Sequence, residues 1–311
     1  MIRVFIDGSA GTTGLRIRER LARREDISLL TLPEEYRKDE GARRDALNAA
    51  DVSFLCLPDA AAVEAASLVS APEAILIDTS TAHRVAEGWA YGFPELKGRR
   101  EQIQRANRIA NPGCHATGFI ALVAPLVECG LIRRDARLSC FSLTGYSGGG
   151  KKMIAEYEVP DRDPLLSAPR PYGLSQAHKH LPEMAAQCRL AFAPVFLPVV
   201  APYYAGMEVT VPLTEADTEA DPETLLEAYR GYYTDGLVRV CDDNAENGFL
   251  SASALAGRDD LEIRVCGNRE RKLLIARFDN LGKGASGAAI QNMNLRLGLP
   301  ESRGLVVEAH G

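Results

Sequence analysis

The chain of 311 residues lacks an excess of basic residues, a long apolar run, paired cysteines and any internal repeat. Lys and Arg number 36 against 42 Asp and Glu, a net charge of −6, which argues against nucleic acid or anionic membrane as the main partner. The longest apolar stretch, residues 190–202, is 13 residues long and broken by Pro194 and Pro198. That is too short to cross a bilayer. Met1-Ile2-Arg3-Val4 reads directly as a strand and not as a leader, so a cytoplasmic protein is expected. Seven scattered cysteines, odd in number and without a Cys-x-x-Cys pair, exclude a disulfide scaffold and a zinc knuckle. What is present is an ordinary globular composition, 46% hydrophobic and 25% charged, long enough for two domains.

The first third alternates short apolar strands (2–6, 27–32, 52–57, 74–77) with helical stretches (15–24, 60–68). Continuous apolar strands between helices indicate a parallel sheet covered on both faces, doubly wound and Rossmann-like. Beyond residue 115 longer strands (138–143, 191–200, 207–211, 261–266, 272–278) follow with fewer helices, which predicts a second α+β domain on a mostly antiparallel sheet. The expected division is 1–114 for the first domain, completed by a C-terminal helix within 284–311, and 115–283 for a catalytic and oligomerisation domain. A dimer or tetramer is expected.

Two turns carry the chemistry. The first follows the opening strand: Gly8, Ser9, Ala10, Gly11, Thr12, Thr13 and Gly14 match a dinucleotide fingerprint with Ser9 in place of its first glycine. Glycine lets the backbone turn sharply and approach a pyrophosphate at the positive end of the next helix. A carboxylate at the end of the second strand would select NAD, but residues 29–32 hold none; Arg37 and Lys38 follow nearby, so NADP is expected. The second turn, Asn111-Pro112-Gly113, places Cys114 at a helix N-terminus, where free amides and the helix dipole favour a thiolate. Pro125, inside that helix, is expected to kink it.

A nucleophile of this kind needs a proton-handling partner. The densest candidate cluster is His178-Lys179-His180-Leu181-Pro182-Glu183, with Pro182 suited to a helix's first turn and both histidines expected on extended chain. It lacks clearly spaced further ligands, so no metal is expected. Ser80 and Arg84 lie in a polar stretch after the fourth strand, at the edge where doubly wound sheets bind ligands. Ser147 and Gly148 belong to a glycine-rich segment ending in Lys151 and Lys152 that would cradle an oxyanion or phosphate.

Gly8 to Gly14, Asn111-Pro112-Gly113-Cys114, His178 to Glu183 and Gln291-Asn292-Met293-Asn294 together resemble the short form of the N-acetyl-gamma-glutamyl-phosphate reductases, over essentially the whole chain. Two positions depart from the family pattern: His115-Ala116-Thr117 stands where the longer form has Tyr-Pro-Thr, and Lys179 stands where Arg is usual. The resemblance implies NADPH-dependent reduction of an acyl phosphate through a thioester on Cys114. It further implies that His178 polarises the thiol and handles the proton, that His180 and Glu183 orient or contact substrate, and that Asn292 lies by the nicotinamide. Arg84, Arg162 and Arg170 are open as partners of the substrate carboxylate. The alternatives are an aspartate-semialdehyde dehydrogenase, whose motif has Asn where Gly113 stands, an N-acetyl-aminoadipyl-phosphate reductase, a metal-dependent hydrolase, and a non-catalytic NADP-binding protein.

Overall fold

Alternation of side chains along the first strand decides how its sheet is covered. In the computed structural model, which describes residues 1–242 and 246–307, Val4 and Ile6 enter one core and Phe5 enters another on the opposite face. Six strands, β1 (Ile2–Asp7), β2 (Ile27–Leu30), β3 (Val52–Leu55), β4 (Ile75–Asp78), β5 (Ala90–Tyr91) and β6 (Arg108–Ala110), form a sheet of order β2-β1-β3-β4-β6-β5, parallel throughout. The helices between them are α1 (Thr12–Leu21), α2 (Glu40–Ala49), α3 (Asp59–Ser67) and α4 (Arg99–Arg105). Strand order reverses beside β1, and the glycine turn leaves β1 at that switch point, the usual ligand edge of such sheets.

The second unit is built around α5 (Cys114–Glu128), whose residues from His115 to Val127 are all buried. A helix apolar on every side belongs in an interior. Gly118 lets it approach the sheet, since a Cβ there would lie 2.4 Å from Val209 Cγ2. The helix continues to Glu128 through Pro125. Proline cannot donate to the carbonyl of Ala121; the Tyr233 hydroxyl donates to it instead, at 2.7 Å.

Seven strands make the second sheet: β7 (Ser139–Gly145), β8 (Arg170–Pro171), β9 (Val195–Ala201), β10 (Met207–Thr214), β11 (Val238–Val240), β12 (Leu261–Gly267) and β13 (Arg271–Phe278). Their order is β11-β12-β13-β10-β7-β9-β8, antiparallel except for β7 with β9 and β11 with β12. Around them lie α6 (Gly150–Glu158), α7 (Leu181–Gln187) and α8 (Pro222–Tyr232). The strand expected from residue 191 starts only at Val195, after Pro194, which has no N–H for a ladder.

The last helix, α9 (Gly287–Arg296), belongs with the first unit: Ala289, Ile290, Met293 and Leu295 complete the core on the β1 face that holds Val4 and Ile6. It is shorter than the expected span of 284–311. Gly298, at φ +67°, ends it, and residues 308–311 lie outside the described residues. The two compact units are Met1–Pro94 with Gly98–Gly113 and Ala285–Leu305, and Glu95–Lys97 with Cys114–Gly284 and the chain from Val306.

Candidate active site

Glycine is required at two positions of the first turn. Gly8 has φ +86°, and a Cβ on it would fall 2.2 Å from the Cys56 carbonyl oxygen; one on Gly14 would fall 2.5 Å from the Gly8 oxygen. The Gly11 amide donates to the Gly8 carbonyl at 3.0 Å, and α1 starts at Thr12. Thr12 Oγ1 is buried with no hydrogen-bond partner among the described residues. A buried hydroxyl aimed beside free helix amides fits a pyrophosphate oxygen. Beneath the turn, burial raises the Asp7 pKa against the pull of Arg43, whose Nε donates to it at 3.1 Å.

A cavity of about 500 Å³ opens from this turn along the end of β2. Its lining includes Gly8, Ser9, Arg18, Glu34, Arg37 and Lys38. Residues 29–32 present no acid to it, whereas Arg18, Arg37 and Lys38 present three cations, which fits a ribose carrying a 2′-phosphate. Arg18 escaped the sequence reading because it lies on α1, far along the chain from Arg37.

Other expected residues of this unit are committed to the fold. The Ser80 hydroxyl donates to Asp78 Oδ2 at 2.7 Å, and the same oxygen meets His83 Nδ1 at 2.6 Å. Arg84 is buried, with Nε donating to the Asn111 carbonyl at 3.0 Å and Nη2 to that of Thr79 at 3.1 Å. Asn292 donates through Nδ2 to the Gly92 carbonyl at 2.9 Å and to Asn111 Oδ1 at 3.2 Å. Its own Oδ1 is buried and unpartnered among the described residues. Gln291 and Asn294 bond to Glu301 and Arg24, so much of that motif holds the last helix in place.

In the second unit Cys114 is the first residue of α5 and half-buried. Three imidazoles gather here: His115 lies 5.7 Å from His178 and 5.6 Å from His180, ring centre to ring centre, and His178 and His180 are 4.8 Å apart. The two histidines before α7 are on a turn and not on extended chain. The Leu181 amide donates to the His178 carbonyl at 3.0 Å, and His180 has φ −83° and ψ −13°. The turn forms because the His180 amide donates to His178 Nδ1 at 3.2 Å. That contact puts the proton of a neutral His178 on Nε2. Burial, with Lys179 adding, lowers the His178 pKa, so the ring is neutral near pH 7. Pro182 sits in the first turn of α7, as expected, and Glu183 beside it is buried.

His115 was missed as a site residue. Its Nδ1 meets Ser142 Oγ at 2.7 Å and its Nε2 meets the Tyr172 hydroxyl at 2.6 Å. The glycine-rich segment is a 3₁₀ turn leading into α6 and not an open cradle. Ser147 is held there by the Tyr204 carbonyl and Asn280, at 3.0 Å each, and Gly148 lies beside them on the surface. Arg170 and Arg162 both bond to Tyr157.

Residues 28–106 match the family model described as the semialdehyde dehydrogenase NAD binding domain, and residues 114–280 match the semialdehyde dehydrogenase dimerisation domain. Fold and site thus define the class: an oxidoreductase of the semialdehyde dehydrogenase type. Solved structures agree on the fold. Aspartate semialdehyde dehydrogenase II of Vibrio cholerae, complexed with ASA, superposes with a TM-score of 0.70 at 16% identity, covering 96% of this chain and 98% of that one. The Candida albicans enzyme with NADP gives 0.66 at 15% identity, covering 96% and 100%. Curated relatives are far more similar in sequence. N-acetyl-gamma-glutamyl-phosphate reductase 2 of Nostoc sp. is 43% identical over 97% of this chain and 99% of its own. N-acetyl-gamma-glutamyl-phosphate reductase of Brucella ovis is 46% identical over 95% and 99%. The chain belongs to the N-acetyl-gamma-glutamyl-phosphate reductase family.

Proposed function

We propose that this chain catalyses the NADPH-dependent reduction of N-acetyl-L-glutamyl 5-phosphate to the 5-semialdehyde, with release of phosphate, in arginine biosynthesis. The observation that carries the reading is the half-buried Cys114 thiol on the first residue of a buried helix, in the unit where the neutral imidazoles of His115 and His178 meet. The positive end of that helix dipole favours the thiolate, a soft nucleophile suited to an acyl phosphate. Sγ attacks the acyl carbon; the S–C bond forms, the C–O bond to phosphate breaks, and a thioester remains. Gly8, Gly11, Thr12, Thr13 and Gly14 would hold the pyrophosphate of NADPH, Arg18, Arg37 and Lys38 its 2′-phosphate, and Asn292 its nicotinamide amide. Bound NADPH supplies the hydride that takes the thioester to the aldehyde level.

With Nδ1 occupied by the His180 amide, His178 presents an N–H and acts as a hydrogen-bond donor in its resting state, not as an acceptor of the thiol proton. It polarises the acyl oxygen and steadies the alkoxide until sulfur departs. His180 and Glu183 position it or contact substrate.

Seven free cysteines suit a reducing cytoplasm. Among the described residues no helix is long and apolar enough to cross a membrane. The dimerisation-domain match supports a homo-oligomer, and Phe141, Val195, Leu197 and Leu273, exposed on one face of the second sheet, supply an apolar surface for a second copy.

The test compares N-acetyl-glutamate, aspartate and N-acetyl-aminoadipate semialdehydes in the reverse, phosphate-requiring direction. The first should lead the aminoadipate homologue by roughly 10–200-fold in kcat/KM, the worth of one methylene. A preference for aspartate semialdehyde would overturn the assignment.

A further inference from the structure

Cys114 and Gly118 stand one helical turn apart on α5 and so share a face of it. That face is pressed against the end of β13. A Cβ on Gly118 would fall 2.9 Å from Phe278 Cε1. A Cβ on Gly284, in the π-type turn Gly282–Ser286 that follows β13, would fall 3.3 Å from Cε2 of the same ring. The same Gly284 Cβ would lie 3.0 Å from the Cβ of Cys114. Carbon atoms pack at about 3.5–4.0 Å, so only bare backbone fits in that place. The turn is fixed on both sides of it. Asp279, fully buried, accepts from the Leu281 and Gly282 amides through Oδ1 at 2.6 and 3.0 Å, and from the Gly257 amide through Oδ2. Its carbonyl accepts from the Gly284 amide itself at 3.0 Å. Lys283 is buried and paired with buried Glu95 at 2.6 Å, and Glu95 also accepts from the Leu237 amide at 3.0 Å. Such a pair holds its place because parting it would leave a buried charge uncompensated.

We propose that Gly284 is a positioning residue for the nucleophile: its bare backbone closes one side of the Cys114 side chain and holds the sulfur in the orientation from which it attacks. Rotation about the Cα–Cβ bond offers the sulfur a few staggered positions, and backbone packed on Cβ closes those that point into the turn. A sulfur held in place beforehand attacks faster, since a misplacement of about 1 Å costs roughly 10²-fold. Asp279 and the Glu95–Lys283 pair act through Gly284 and not on the sulfur. The inference rests on the reading of Cys114 as nucleophile.

The test follows alkylation of Cys114 by iodoacetamide against pH in the full-length protein, mapped by peptide mass spectrometry, with exposed Cys129 as internal reference. The midpoint reports how well the thiolate is stabilised, and the plateau rate reports how the sulfur is presented. Gly284→Ala should lower the Cys114 plateau at least about threefold, with the midpoint and Cys129 unmoved, and lower kcat roughly 10–100-fold with KM within about twofold. A general loss of stability would move neither the plateau nor the kcat of the folded enzyme. Asp279→Asn keeps its size and Oδ1 but turns an NH2 toward the Gly257 amide, and should show the same split more weakly. It decides the matter if Gly284→Ala does not fold. An unchanged plateau or an unchanged kcat in the folded variant overturns the inference. Wild-type enzyme that keeps its turnover with Cys114 fully alkylated overturns the nucleophile reading beneath it.

Discussion

A thiol reacts according to where its backbone puts it. Burial pushes the Cys56 thiol up to about 12 and raises Cys140 and Cys188 as well, so all three stay protonated and inert. Cys114 differs by standing at the first residue of α5, where the helix dipole favours a thiolate. Cys114→Ser should abolish turnover and leave NADPH affinity, by fluorescence titration, within about twofold, because Cys114 supplies none of the groups proposed to hold the pyrophosphate or the 2′-phosphate and the change replaces a single atom. His178→Asn should slow the reaction by roughly 10²–10⁴-fold in steady-state assays. His115 also bears on stability. Its folded pKa is depressed to about 3, below its ordinary value. As pH falls below about 6.5 the unfolded chain takes a proton that the native one refuses, and stability drops until the folded value is reached. His115→Gln should therefore flatten the acid slope of urea-unfolding free energy by up to about 1.4 kcal/mol per pH unit. Cys114 was readable because Pro112 and Gly113, its immediate neighbours, announce the turn. His115 was not, since its partners are 27 and 57 residues away and only the folded sheet brings them together.

Helices α1 and α5 both begin where a strand hands the chain to a helix, and each start depends on tight backbone contact. Gly8→Ala would force a Cβ against the Cys56 carbonyl at a positive φ. We expect at least a tenfold loss of NADPH affinity and more than about 2 kcal/mol of stability, by calorimetry. In α5 the proline that sequence alone marks as a kink sits in a helix that continues past it, because Tyr233 takes the carbonyl that Pro125 leaves open. Tyr233→Phe should cost about 1–3 kcal/mol in chemical unfolding, the price of an orphaned buried carbonyl. Strong periodicity made β1, β3 and α9 legible. Short or polar elements such as α2, α4, α6 and α8 escaped, since their mean composition resembles that of loops and their buried faces are supplied by distant strands.

The two sheets have different surfaces. The first is covered by helices on both faces, whereas the second leaves Phe141 and Leu197 directly opposed on an exposed face. Leu197→Arg should shift the protein toward monomer in sedimentation velocity, with α5 and the three clustered histidines left intact, if that face pairs with a copy of itself. The change from alternating strands and helices to longer strands near residue 115 was visible in the pattern, but the excursion of Glu95–Lys97 into the second unit was not, because Glu95 is tied there by Lys283, at 2.6 Å, far along the chain. The placement of α9 also orders events during synthesis. Ala289, Ile290 and Met293 finish a core begun by Val4, so on the ribosome the nucleotide-binding half must wait, open on one side, until the other half has already emerged.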